Sequence, residues 1–304
     1  MQLDQTRISV RERTMGEILD LSLQFFRRHF GPILLMYSLG AVPLALLNYL
    51  LIGWMMDLEY ITTLFLVEEG WEIVRYVWIL SLLTIIEAPL ASGFVTAYLG
   101  RLVFEDQPRW RQLVVDVVKM APRVTWCQIV IRGIGLAWLL TSTLERYGEF
   151  QAGIEGFLLP LLVLFSCVVR SFRPFNMEII LLERNPLMSR DPNMMTIGRR
   201  SAQLHNPSGG ELFSRSIVSG MVGFAMTLAG FSTLLFVMGV FLNSWAPGPR
   251  MLSFGLPLAM WFVGAYLTVV RFLSYLDLRI RQEGWEVELR MRAEAARMVP
   301  QQVL

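Results

Sequence analysis

Long apolar runs separated by short polar stretches dominate this chain. A helix needs about 20 mostly apolar residues to cross the roughly 30 Å hydrocarbon core of a bilayer. Runs of that length are Gly31–Met56, Tyr76–Phe104, Val124–Leu144, Gly153–Val169, Ser216–Leu242 and Met251–Tyr275. The pattern therefore predicts an all-α polytopic membrane protein with six transmembrane helices, in which residues 1–304 form a single integral membrane domain.

The third run is the weakest, because it contains Gln128 and Arg132, so that five spans are an alternative. The distribution of arginine decides between the two. With six spans and a cytoplasmic amino terminus, the outer loops hold only Arg75, Arg146 and Arg250 of the 27 basic residues, and nearly all others fall inside. The positive-inside rule predicts this split, and removing the third span would break it. We expect a multi-pass protein of a bacterial cytoplasmic (inner) membrane with both termini in the cytoplasm.

The composition agrees with this class and excludes several kinds of site. Hydrophobic residues make up 54% of the chain and charged residues 17%, which is too apolar for a soluble domain. Both cysteines lie in apolar runs, and there are only two histidines, so neither a zinc site nor a disulfide framework is expected. We expect no metal, no cofactor and no nucleic-acid partner.

Three polar segments with helical periodicity each precede a pair of apolar runs. They begin near Thr14, Pro108 and Pro192, and Thr14 has the capping-box spacing to Glu17. We expect cytoplasmic interfacial amphipathic helices here, and three repeated helix-plus-hairpin units over residues 14–106, 107–190 and 191–278, followed by a tail over 279–304. The alternative is that these are the amphipathic connectors found in any multispan protein.

The stretch "YLDLRIRQEGWEVELRMRAEA", residues 275–295, alternates apolar and charged positions as a β-hairpin would. A lone hairpin beside the bilayer would have unpaired edges and little to pack on. A helical interpretation pairs Asp277 with Arg281, ends or kinks at Gly284 and resumes at Trp285. We predict a broken helix, with Trp110 and Trp285 as interfacial anchors.

Four stretches resemble a known family: "GEILDLSLQFFRRHFGPIL", "MEIILLERNPL", "GRRSAQL" and "YLDLRIRQEGWEVEL". Together they look like a bacterial family of polytopic membrane proteins related to the membrane domain of glycerophosphoryl diester phosphodiesterases. The resemblance implies an all-helical bundle of repeated helix-plus-hairpin units that faces the cytoplasm. It implies no activity, because the phosphodiesterase chemistry of the fused relatives resides in a separate soluble barrel.

Two charged residues lie near the middle of predicted spans, Glu87 in the second and Arg132 in the third. A lone charge at that depth costs at least about 2.5 to 3.5 kcal/mol, so it usually pairs or faces water. We expect an ion pair between Glu87 and Arg132 that fixes the register of adjacent helices. A carboxylate in a transport cavity is the alternative.

Charged residues also crowd the inner mouth of the fourth span and the segment after it. They are Arg170, Arg173, Glu178, Glu183, Arg184, Arg199 and Arg200. We expect a cytoplasmic interface network, structural or partner-binding, whereas anchoring of the topology by arginines at the lipid headgroups is the plainer alternative.

We find no nucleophile–base pair, no acidic metal cluster and no nucleotide fingerprint, so an enzyme ranks third among the candidate functions. The first is a non-enzymatic scaffold or subunit that presents a basic cytoplasmic face to a protein partner or to anionic membrane lipids. The second is a small-molecule or lipid transporter with a pathway past Glu87 and Arg132.

Overall fold

The structure is a computed structural model that describes residues 13–56, 71–102, 110–130, 132–135, 137–138, 140–141, 152–189, 191, 194–245 and 247–283. The longer α-helices are α1 (Met15–Arg28), α2 (Phe30–Ile52), α3 (Trp71–Ala91), α4 (Gly93–Leu102), α5 (Trp110–Thr125), α6 (Ala152–Phe172), α7 (Ile197–His205), α8 (Gly209–Leu242) and α9 (Leu256–Glu283). Shorter segments are the 3₁₀ turns Gly53–Met56 and Asn206–Ser208, the helical turn Asn176–Glu178, and the π-helical turns Trp126–Val130, Ile179–Glu183 and Met251–Gly255.

All regular structure in these residues is helical, which confirms the predicted class. Among the described residues, five segments are long and apolar enough to cross a membrane: Phe30–Met56, Ile73–Leu102, Ile154–Phe172, Ile197–Leu242 and Met251–Gln282. The segment Ile197–Leu242 has 46 residues, about twice what a crossing needs. Its first part consists of α7 and the charged start of α8, and it therefore lies before the apolar run Ser216–Leu242.

The predicted third span, Val124–Leu144, is interrupted where it is described. The helix α5 changes to π-helical turns over Trp126–Val130, and the backbone then turns at Gly133, which has a φ of 68°. Glycine adopts this left-handed conformation without the penalty that a side chain would incur. The described residues between 124 and 141 therefore do not form one continuous helix, and this run is not among the five candidate spans found in the described part of the chain.

The amino-terminal helix α1 begins at the capping box that the sequence predicts. The Thr14 hydroxyl accepts a hydrogen bond from the Glu17 amide, and the Glu17 carboxylate accepts one from the Thr14 amide. Both contacts satisfy amides that the first helical turn leaves unpaired. Helix α1 then buries Ile18 and Phe26, and the hydroxyl of Tyr266 on α9 donates to the Leu19 carbonyl.

A kink divides the second apolar run into α3 and α4. Pro89 lacks the amide that would continue the helix, and the Ser92 hydroxyl donates to the Pro89 carbonyl at 2.7 Å. Helix α2 crosses the kink in close contact, because a Cβ at Gly40 would lie 2.6 Å from the Ala91 carbonyl oxygen. A glycine is therefore needed at this crossing.

Helices α3 and α6 lie parallel to each other. Near their amino-terminal ends, Arg75 and Glu155 form a buried ion pair at 2.9 Å. Towards their carboxyl-terminal ends, the Arg170 guanidinium donates to the Ile85 carbonyl at 2.7 Å. Parallel neighbours cannot be joined by a simple hairpin, so α3 and α6 are not the two members of one helical hairpin.

Helices α8 and α9 form an antiparallel pair closed by charges. Arg215 on α8 contacts Asp277 on α9 at 2.9 Å, and Arg281 contacts Glu211 at 2.9 Å. Arg281 also contacts Asp277 one turn earlier, the pair that the helical interpretation of the tail predicts. Residues 276–281 are helical, so the strand alternative is excluded there, while Gly284 and the rest of the tail lie outside the described residues.

Candidate functional site at the arginine-rich end

One end of the bundle, which we call the arginine-rich end, is defined by Arg101, Arg184, Arg200, Arg215 and Arg279. At its centre the chain leaves α6 and enters the π-helical turn Ile179–Glu183. The Glu178 carboxylate is fully buried and accepts a hydrogen bond from Arg271 of α9 at 2.7 Å. Arg271 also donates to the hydroxyls of Ser92 and Thr96, at 2.9 and 3.3 Å. A buried charge needs such partners, because it has lost its hydration.

Glu183 is the second centre of the network, and it joins the two family-like motifs. Its two carboxylate oxygens accept from Arg200 Nε at 2.6 Å and Arg200 Nη2 at 3.0 Å, a bidentate arrangement. The Tyr275 hydroxyl donates to the same carboxylate at 2.8 Å, and Asn185 donates to it at 3.1 Å. The predicted Glu183 and Arg200 are therefore in direct contact, with a geometry that favours a rigid connection.

Arg184 directly follows Glu183 in the chain, but its side chain contacts a different carboxylate. Its φ of 55° is left-handed, which is uncommon for a residue with a side chain. The Arg184 guanidinium donates to Asp116 Oδ2 at 2.8 Å, and Arg101 donates to the same oxygen at 2.7 Å. These three residues line one side of a cavity of about 550 Å³ between α4, α5, the π-helical turn and α9.

Ser201 and His205 form a serine–histidine contact of the kind that could suggest a hydrolase. His205 Nε2 accepts from the Phe175 amide at 3.3 Å, and Nδ1 lies 2.7 Å from the Ser201 carbonyl. The imidazole is therefore neutral, with its proton on Nδ1. A protonated Nδ1 cannot remove a proton from the Ser201 hydroxyl, which donates instead to Asn176 at 2.9 Å. His205 lies in α7, which precedes the apolar run Ser216–Leu242. Burial lowers the pKa of its imidazole to about 4.

The remaining predicted interface arginines are spread around this centre. Arg170 contacts the α3 backbone as described above, and the backbone carbonyl of Arg173 accepts a hydrogen bond from the Arg132 guanidinium. The Arg199 amide is capped by the Thr196 hydroxyl at 3.4 Å, and its guanidinium donates to the Met194 carbonyl at 3.3 Å. Through these contacts the three arginines are joined to different parts of the chain.

The structure gives Glu87 and Arg132 partners other than each other, so the prediction of an ion pair between them is wrong. Glu87 Oε2 accepts from Asn48 of α2 at 2.8 Å, in the buried interior. Arg132 reaches the Arg173 carbonyl because the third apolar run turns at Gly133. Within the described residues, no ion pair joins Glu87 to Arg132, and an amide side chain that sequence reasoning did not consider takes the expected place of the cation.

Of the two predicted anchors, Trp110 begins α5 and stacks on Tyr98 with ring centroids 5.6 Å apart. Trp110 is partly exposed, which suits an amphipathic anchor but does not test that role. Trp285 lies outside the described residues.

Several network residues escaped sequence reasoning. Arg271 lies within the predicted span Met251–Tyr275, and it extends into the bundle and forms an ion pair with Glu178. Its position within an apolar run is the signal that could have indicated a buried partner. Asp116 and Tyr275 gave no such signal, because each fits the polar or interfacial side of its own helix.

The ion pairs of Glu178 and Glu183 hold the segment after α6 against α9 and α7. The two carboxylates are occupied by arginines, and the Ser201–His205 contact has the wrong protonation for general-base catalysis. In the part of the chain that the structure describes, no group of three His, Cys, Asp or Glu residues could hold a metal ion.

No protein-family model, curated protein or solved structure matches this chain. The resemblance to the phosphodiesterase-associated membrane domain therefore stays a prediction, and the function has to be argued from the geometry.

Proposed function

We propose that this chain is a non-enzymatic scaffold or subunit of a bacterial inner membrane, with the arginine-rich end in the cytoplasm. The observation that carries the proposal is the interlocked network of Glu178–Arg271 and Glu183–Arg200–Tyr275. It fixes the connection between α6 and α7 without assembling a reactive group. A rigid, basic end of this kind is suited to holding another molecule in place.

We further propose six crossings, with both termini on the cytoplasmic side. The parallel arrangement of α3 and α6 supports an extra crossing by the interrupted third run. Helix α5, which leads into that run, contacts Arg101 through Asp116 at the arginine-rich end. The run continues with Ile134 packed against Leu82 and Ile86, and it brings Trp138 against the cluster around Tyr76 at the opposite end. The predicted split of arginines between the two sides supports the same orientation.

The three-unit repeat belongs to the same proposal. Helices α1, α5 and α7 each precede a pair of apolar segments: α2 with α3–α4, the interrupted run with α6, and α8 with α9. Under the six-crossing topology, all three short helices lie at the cytoplasmic interface.

A transporter is the competing function, and one observation weighs against it. A pathway past Glu87 and Arg132 needs a polar cavity that reaches the middle of the membrane. The 550 Å³ cavity lies at the arginine-rich end and has neither residue in its lining, and Glu87 is buried against Asn48. The scaffold therefore has the better support.

Site-specific photocrosslinking in intact cells tests the scaffold. A benzophenone amino acid replaces Met188 or Arg199, both exposed at the arginine-rich end, and in a control replaces Trp245, which is 61% exposed beyond α8. We expect the same discrete crosslinked protein from positions 188 and 199 and none from 245. Absence of a crosslink at both test positions, or an equal one at position 245, would overturn the proposal.

A further inference from the structure

The cavity at the arginine-rich end combines an apolar wall with a charged mouth. The wall is formed by side chains from α5, the π-helical turn and α9, namely Leu113, Val117, Met120, Leu181, Leu182 and Phe272. Leu113 and Phe272 are themselves almost completely buried, so the wall is continuous with the hydrophobic core. A ligand for this space needs an apolar part.

The mouth of the cavity has an excess of positive charge. Arg101, Arg184 and Arg279 line it, and Asp116 is the single carboxylate among the lining residues. One oxygen of Asp116 accepts from both Arg101 and Arg184, and each guanidinium has several further N–H donors. An anionic group at the mouth would meet donors that Asp116 leaves available, in the geometry that arginine offers to phosphate.

The backbone is shaped around this arrangement. Arg184 adopts its left-handed conformation at the end of the π-helical turn, and its side chain is 56% exposed beside Asp116. Gly100 on α4 lies so close to the Leu182 side chain that a Cβ there would overlap it. The close approach of α4 to the π-helical turn brings the apolar wall and Arg101 into one cavity.

We propose that this cavity binds one anionic phospholipid, with the phosphate at Arg101, Arg184 and Arg279 and the upper part of an acyl chain along the apolar wall. The cavity lies among helices that the topology places at the inner leaflet, where basic pockets hold anionic headgroups. Its volume falls within the range of ordinary ligand sites. A soluble anion would leave the apolar wall exposed to water, and an acidic peptide would not need it. The inference rests on the proposed membrane orientation and does not need the scaffold role.

The test uses the purified full-length chain in detergent, after delipidation, titrated with dioleoylphosphatidylglycerol or dioleoylphosphatidylcholine. Native mass spectrometry measures the apparent Kd of the first bound lipid. We expect one phosphatidylglycerol to bind in preference to phosphatidylcholine. R184Q should weaken it about fivefold, the ratio that about 1 kcal/mol per arginine corresponds to. R199Q, which removes an exposed arginine outside the cavity lining, should leave the Kd unchanged.

A second variant keeps the proposal testable if loss of a charge disturbs folding. Ala97 lines the cavity, and A97F should weaken phosphatidylglycerol binding by filling the space without changing any charge. Equal weakening by R184Q and R199Q, or an unchanged Kd in A97F, would overturn the site. Displacement of the lipid by millimolar glycerol 1-phosphate would assign the cavity to a soluble anion, and displacement by an acidic peptide would assign it to a protein. Each result leaves the crosslinking test of the scaffold unaffected.

Discussion

Arg271 and Glu178 lie 93 positions apart in the chain and form an ion pair at 2.7 Å, with the carboxylate fully inaccessible to solvent. The pair joins the last helix to the segment after α6. Removing one partner of a buried pair leaves the other charged and without compensation, which costs about 3 to 5 kcal/mol. R271M should therefore lower the melting temperature of the purified protein in detergent steeply.

The double variant R271M/E178L is the matched control for this prediction. It removes both charges together, and apolar replacement of a buried pair is often close to neutral. We expect it to recover most of the stability that R271M loses. If the double variant is no more stable than R271M, the contact is not a compensated pair.

Glu183 should control the order of the segment between α6 and α7. E183A removes the bidentate contact to Arg200 and the hydroxyl contact from Tyr275. Limited proteolysis should then cleave between residues 184 and 196 faster than in the wild type, because the segment loses its fixed connection. R199Q is the control, because it removes an arginine that donates to the Met194 carbonyl and leaves the contacts of Glu183 with Arg200 and Tyr275 in place. Equal cleavage of E183A and wild type would contradict this role.

The close crossing of α2 and α3 predicts a sensitive glycine. In G40A the new Cβ would lie 2.6 Å from the Ala91 carbonyl oxygen, so the two helices must separate. Overpacking of this kind costs about 1 to 3 kcal/mol. A Cβ at Gly220 on α8 would meet nothing within 4 Å, so G220A should melt like the wild type. Equal melting temperatures for G40A and G220A would show that the helices do not approach so closely.

His205 predicts a pH dependence of stability. Its pKa falls from an ordinary 6.5 to about 4 because burial disfavours the charged form. At a pH above the ordinary pKa the imidazole is neutral in both the folded and the unfolded state, and the folded state keeps its full stability. Part of this stability is lost as the pH falls from about 6.5 towards 4. The melting temperature should drop between pH 7 and pH 5, and H205Q should reduce that drop. An identical pH profile for H205Q would place the sensitivity elsewhere.

The sequence predicted what depends on local pattern. The capping box at Thr14, the helical continuation past Leu276 and the Asp277–Arg281 pair follow from spacings within one or two turns. Glu183 and Arg200 both belong to the predicted interface network, but the sequence does not predict their contact. Its geometry depends on how α7 folds back towards α6, and no local rule determines that.

The errors lie in contacts between distant segments. The predicted cation partner of Glu87 is wrong, because Asn48 on the neighbouring α2 supplies the hydrogen bond. Arg271 lies within the predicted span Met251–Tyr275, and the local pattern does not identify Glu178 as the carboxylate that neutralises it. Helix periodicity describes which face a residue occupies, but the partner depends on which helix packs there.

The central claim is the topology, and cysteine labelling in intact cells tests it most directly. The background variant replaces Cys127 and Cys167 with alanine, and single cysteines then replace Arg184, Arg146 or Trp245. Six crossings with the arginine-rich end in the cytoplasm predict that a membrane-impermeant maleimide labels positions 146 and 245 in intact cells, and position 184 only after permeabilisation. Labelling of position 146 together with position 184, and not with position 245, would contradict six crossings. Labelling of position 184 in intact cells would contradict the cytoplasmic location of the arginine-rich end.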